Sequence, residues 1–390
     1  METTDSQTEL QPLTFQFTGK GFEYFKIWIV NIFLSVVTLG IYSAWAKVRT
    51  NSYFYGNTVL NNSSFSYLAD PKNILKGRVI SIFLFAIYWV AWQTFPEAGI
   101  GLLAVGCLLF PFFIVSAMSF RMRNSAYRNI RFYFFKDLKA SYSVFLLPLG
   151  SVIIFTWLLY TVVDSFGVLD EMVAGGKQQG QFLLKEDFIF SAFSIGFIPI
   201  LPWLDYLRTR FIVDHTQYGK AKASFNIGGW RFYKVYFMTA LIYFAVILIG
   251  GLLIYGISNI EGNEDGGSSG LLPLIYIGVV CFYAIIIFIS GIWKAMRTNM
   301  INNNIKIGKN QLCSHLKGTQ VGWIYLSNTI AIILSTGLLI PWAKVRMARY
   351  TANCTELQIN DLDSIKAIEQ EQGNAFGEEM DEIFDMDIGF

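Results

Sequence analysis

The sequence predicts an all-α polytopic membrane bundle with internal pseudo-repeats. About six helices would span, two re-entrant-like segments would sit at the ends, and loop strands would form a small cytoplasmic β-layer. Three observations lead there: the composition, eight long apolar runs, and a pentapeptide that occurs twice. Apolar residues make up 54% of the 390 and charged residues only 15%, against about a quarter charged in a soluble domain.

The runs are approximately Ile27–Ala44, Val79–Phe95, Gly99–Phe120, Val144–Val163, Phe188–Leu204, Val235–Ile257, Leu271–Trp293 and Val321–Trp342. Each approaches the length a bilayer demands. None carries Lys, Arg, Asp, Glu or His in its interior. The first 26 residues lack an apolar core, so no cleavable signal peptide is expected.

Loops 46–78, 121–143, 205–234 and 294–320 are rich in Lys and Arg, whereas 96–98 and 258–270 have neither. The positive-inside rule assigns the basic loops to the cytoplasm. Eight full crossings would then leave the chain after Trp342 outside, yet that segment is as basic as its counterpart. The string WAKVR occurs at Trp45–Arg49 and at Trp342–Arg346. At the same offset of 297, Asn31 aligns with Asn328 and Gly40 with Gly337. Runs one and eight are therefore read as re-entrant segments broken at Gly40 and Gly337, with both termini cytoplasmic.

The pseudo-repeats fall near residues 15–68 and 312–360, with a partial copy near 188–227 around PWLDYLRTRF. Residues 1–360 form the membrane domain. The remaining tail, 361–390, holds ten acidic residues against Lys366 alone. It is read as a docking or regulatory segment or as a solvated tail. Short period-two stretches in the loops, such as SFSYL at 64–68, NIRFYFF at 129–135 and NNIKI at 303–307, supply the strands.

Two sets of residues are candidates for function. Asn31 and Asn328 would line a polar path between the repeats, as interrupted helices do in transporters; alternatively each makes an interhelical hydrogen bond. Trp45, Lys47, Arg49, Trp342, Lys344 and Arg346 would anchor the cytoplasmic interface, with indole at headgroup level and cations reaching water. Runs without ionisable groups do not suggest a coupled pump. No nucleotide, hydrolase or zinc-protease motif occurs, so no enzyme activity, catalytic residue, metal or cofactor is expected. His215 and His315 read as loop residues. Cys107, Cys281, Cys313 and Cys354 have neither disulfide nor zinc spacing. Basic loops next to a membrane point to lipids as partners rather than nucleic acid. The oligomeric state is not legible.

FTGKGFEYFKIWIVN at 17–31, TLGIYSAWAKVR at 38–49, PWAKVRMARY at 341–350 and FDMDIGF at 384–390 together resemble the YjgN family of bacterial inner-membrane proteins, built on a domain of unknown function. The resemblance covers nearly the whole chain. It implies an inner-membrane location and supplies no activity or catalytic residue. A membrane-bound metallopeptidase partner is a weaker association of the same resemblance. Two functions follow: passive transport of lipid or small apolar molecules, or a scaffold that recruits a partner through the β-layer.

Overall fold

The computed structural model describes residues 11–165, 196–261 and 272–359. The first segment holds β1 (Gln11–Thr14), β2 (Gln16–Phe17), α1 (Gly21–Val37), α2 (Ser43–Gly56), β3 (Thr58–Leu60), β4 (Ser63–Tyr67), α3 (Pro71–Thr94), α4 (Pro96–Arg123), β5 (Ser125–Tyr127), β6 (Ile130–Phe134) and α5 (Leu138–Ser165). The second holds α6 (Ile200–Asp214), β7 (Thr216–Tyr218), β8 (Ala221–Phe225) and α7 (Trp230–Glu261). The third holds α8 (Leu272–Asn302), β9 (Ile305–Ile307), β10 (Asn310–Ser314), α9 (Gly318–Leu334), α10 (Ile340–Asn353) and β11 (Thr355–Ile359).

The all-α expectation is overturned. Eleven strands form one antiparallel sheet in the order β1-β11-β10-β9-β8-β7-β6-β5-β4-β3-β2. Its first and last strands are consecutive in sequence, separated only by Phe15. Segment 11–17 therefore pairs with β11 through β1 and with β3 through β2, which brings the sheet round to a near-barrel. This is not a small layer. The spanning count is also corrected: five helices among the described residues are long and apolar enough to cross a membrane, namely α3, α4, α5, α7 and α8. The run Phe188–Leu204, counted as a sixth, falls mostly outside the described residues. So does the tail 361–390.

Four strand pairs close through two-residue loops, at Asn61-Asn62, Arg128-Asn129, Gly219-Lys220 and Gly308-Lys309. In the first two, both central residues have positive φ, the pattern of a type I′ turn. In the last two only the glycine does, as type II′ requires. All helices attach at the sheet end opposite these loops.

Helices consecutive in the chain pack on one another, and α10 returns to pack on α1 more extensively than on its chain neighbour α9. The return is tied by Arg349, whose Nη2 donates to the Gly19 carbonyl at 2.8 Å. The helix-to-strand junctions share a device. Asn57, Asn124 and Asn304 each donate from Nδ2 to the carbonyl four residues back, at 2.7–2.9 Å. His215 takes the same place, with Nδ1 2.8 Å from the Phe211 oxygen. These bonds add a side-chain donor to the last helical turn, where the Tyr53, Phe120 and Phe211 carbonyls also accept from the backbone amides of Asn57, Asn124 and His215.

The centre of the sheet is filled. Leu60, Tyr127, Ile130 and Tyr218 are buried in one cluster that Leu13, Phe65 and Leu357 also join. Strands from opposite sides of the ring meet there, so the interior is a packed core rather than a channel. Both phenols are satisfied: Tyr127 donates to the Leu60 carbonyl at 2.8 Å and Tyr218 to the Tyr127 carbonyl at 3.0 Å.

The end runs each fold into two helices. At about 1.5 Å per residue, 17-residue α1 and 14-residue α2 extend about 26 and 21 Å, less than the roughly 30 Å apolar core of a bilayer. Their turn repeats at α9–α10. Leu39 and Thr336 both have φ 49°, and Gly40 and Gly337 have φ 91° and 93°. Thr38 Oγ1 accepts from the Tyr42 amide at 2.9 Å, and Ser335 Oγ accepts from the Leu339 amide at 3.0 Å. A side chain at φ near 90° is strained. Gly40→Ala and Gly337→Ala are each expected to cost about 1–2 kcal/mol, seen as lower thermal midpoints of the purified protein. A midpoint unchanged in both would contradict the turn.

Candidate functional site

The two copies of WAKVR converge on one groove. It holds about 510 Å³ between α1, α2 and α10. Trp28, Ile32 and Val36 give it an apolar wall, and Asn31, Ser35, Ser43, Lys47, Thr50 and Lys344 add polar and basic groups. Lys47 and Lys344 are the equivalent lysines of the two pentapeptides. A neighbouring groove of about 600 Å³, lined by Phe15, Phe17, Phe54 and Met347, also includes Lys344.

Asn31 and Asn328 are not brought together. Each ties its own helix pair: Asn31 Nδ2 donates to the Ala46 carbonyl at 3.4 Å and Asn328 Nδ2 to the Ala343 carbonyl at 3.3 Å. The acceptor ends differ. Arg346 Nη1 donates to Asn328 Oδ1 at 3.0 Å and to Ser327 Oγ at 2.7 Å. Arg49 instead reaches Tyr42 Oη at 2.9 Å, and buried Asn31 Oδ1 has no partner. An unsatisfied buried acceptor costs about 1–3 kcal/mol.

The remaining anchors diverge too. Trp45 is half-buried against Ala44, Ile74 and Phe120. Trp342 stays exposed, with the Arg346 guanidinium 5.2 Å from its ring centroid. Among the described residues no group of three His, Cys, Asp or Glu is placed to hold a metal. Burial, and then the nearby Glu356 charge, push the Cys313 thiol pKa up, so less of it is the reactive thiolate at neutral pH.

A charged pair escaped the sequence reading. Arg297 on α8 donates from Nε and Nη2 to both carboxylate oxygens of Asp205 on α6, at 2.6 and 2.5 Å. Tyr236 on α7 donates to the same carboxylate at 3.2 Å. Three helices are thereby joined at one point. The α8–α9 crossing is equally close. A Cβ on Gly291 would lie 2.6 Å from Gly322 Cα, well inside contact distance, so Gly291→Val is expected to separate the helices and lower the yield of folded protein. Folded yield equal to wild type would contradict that crossing.

Helix pairs rising from a nearly closed, plugged sheet, five of the described helices able to cross a bilayer, and a basic-apolar groove define a polytopic membrane protein. The chain belongs to the family described as "Bacterial protein of unknown function (DUF898)", whose model matches residues 12–383. Relatives called Inner membrane protein YjgN are similar over nearly full length. The Salmonella typhimurium protein is 27% identical over 92% of this chain and 91% of its own. The Escherichia coli K12 protein is 23% identical over 92% of each. No solved structure matches the chain.

Proposed function

We propose that this chain is a passive, phospholipid-handling protein of the bacterial inner membrane, with its sheet on the cytoplasmic side. The groove between α1, α2 and α10 carries the reading. It combines an apolar wall with lysines from both ends of the chain, the same division a phospholipid presents between acyl chains and phosphate. The five candidate spans add support, because only 6–18% of each span's most apolar stretch is buried within the chain. Most of their apolar surface is left for lipid. The interiors of the apolar runs lack ionisable residues, which favours passive over ion-coupled movement. The sidedness follows from the basic segments that join the helices to the sheet. Partner recruitment by strand addition has less support, since the sheet nearly closes on itself.

Purified protein in vesicles is expected to retain phospholipid by mass spectrometry and to speed the transbilayer movement of a fluorescent phospholipid. Movement at the protein-free rate with no retained lipid would reject the reading. For sidedness, Asn129→Cys at a strand turn is expected to resist an impermeant maleimide in intact cells, and Asn263→Cys to react. The reverse pattern would invert the topology.

A further inference from the structure

We infer that Arg346 and Arg349 form a binding site for the phosphate of an anionic phospholipid, in a groove separate from the one that carries the proposed function. The site requires that the chain sit in a membrane and is independent of lipid movement.

The groove holds about 370 Å³ between α9, α10 and the first residue of α1. Arg346 and Arg349, about one turn apart on α10, line it together with Gln320, Trp323 and Trp342. No Asp or Glu lines it. Glu23 in α1 lies outside the lining and meets Lys20 at 3.6 Å. Among the described residues both guanidiniums hydrogen-bond only to neutral acceptors. Arg346 donates from Nη1 alone, to Ser327 and Asn328. Arg349 donates from Nη2 alone, to the Gly19 carbonyl. A guanidinium has five N–H donors, so each arginine keeps donors for a further acceptor. Paired guanidinium donors match phosphate oxygens in geometry and charge.

The two copies of the repeat differ at this groove. At the offset of 297, Gln320 stands where α1 has Glu23, Trp323 where α1 has Lys26, and Arg349 where α2 has Ser52. The second copy thus carries no acid at the first position and adds an indole and an arginine at the others. Trp323 and Trp342 are both exposed, whereas Trp45 is half-buried. Exposed indoles favour headgroup depth, where a lipid phosphate lies. With no acid in the groove, a headgroup ammonium would meet two cations and no counter-ion, a costly juxtaposition. Phosphatidylglycerol, whose headgroup carries no cation, suits the groove better than phosphatidylethanolamine.

The test is native mass spectrometry of the full-length protein from nanodiscs containing phosphatidylglycerol and phosphatidylethanolamine with the same acyl chains. The expected occupancy favours phosphatidylglycerol by about tenfold, the ratio set by one unmatched like charge at a partly exposed site. Gln320→Glu restores the acid of the first copy at an exposed position and is expected to bring the ratio near one. Arg349→Gln is expected to lower phosphatidylglycerol occupancy about tenfold, the loss of one charge-assisted hydrogen bond. No headgroup preference in the wild type would overturn the site, and retained lipid of either kind would leave the proposed function standing. An unchanged preference in folded Gln320→Glu would also overturn the site. Displacement of the lipid by glycerol 3-phosphate would place the ligand in solution and overturn its assignment as a lipid.

Discussion

Asp205→Ala is expected to destabilise the protein by about 3 kcal/mol, the low end for breaking a buried ion pair. The acid receives two donors from Arg297 and one from Tyr236. Its side chain is 11% exposed and that of Arg297 is 23%. The substitution leaves a guanidinium among three helices with no carboxylate to meet it. The Coulombic gain in the wild type is largely offset by desolvation, so the cost comes from the stranded partner. Replacing both groups, as in Asp205→Leu with Arg297→Met, is therefore expected to recover most of the loss. Chemical denaturation of the single and double variants measures this. A double variant that loses as much as the sum of the singles would contradict the pair.

Tyr127→Ala is expected to cost about 3–5 kcal/mol, the range for emptying a large aromatic site in a core. Tyr127 lies among strands from several parts of the ring, with its ring centroid 4.7 Å from that of Phe65 and 6.2 Å from that of Tyr218. No single hairpin can collapse to fill the space. Tyr127→Phe keeps the ring and removes the bond to the Leu60 carbonyl, with an expected loss of about 1–3 kcal/mol. Thermal unfolding in a fixed detergent compares the two. Equal losses would mean that the ring does not plug the sheet.

The helices were legible and the sheet was only partly so, for a physical reason. A membrane span writes about twenty apolar residues in a row, a signal that needs no partner. The strands are two to five residues long, too short for alternation to stand out. Their closure is non-local: β1 pairs with β11 across almost the whole chain. The turns Asn61-Asn62 and Gly308-Lys309 were the available signals, since both pairs suit two-residue hairpins. The recurrent Asn before a strand, at Asn57, Asn124 and Asn304, was another.

The site divides in the same way. The repeat pointed to Asn31, Asn328 and the pentapeptides, because duplication preserves spacing. It did not reveal that the lysines share a groove while the asparagines do not, which depends on α10 packing against α1. The Asp205–Arg297 contact joins residues 92 positions apart. Its only trace was an acid in PWLDYLRTRF, where the other copies carry lysine.

The most direct test of lipid handling is an experimental structure of the full-length protein in nanodiscs of bacterial lipid. The expected result is elongated density in the groove between α1, α2 and α10. Its head should lie beside Lys47 and Lys344, and its tails along Trp28, Ile32 and Val36. A groove filled instead by a helix from a second copy, or by water alone, would contradict the account.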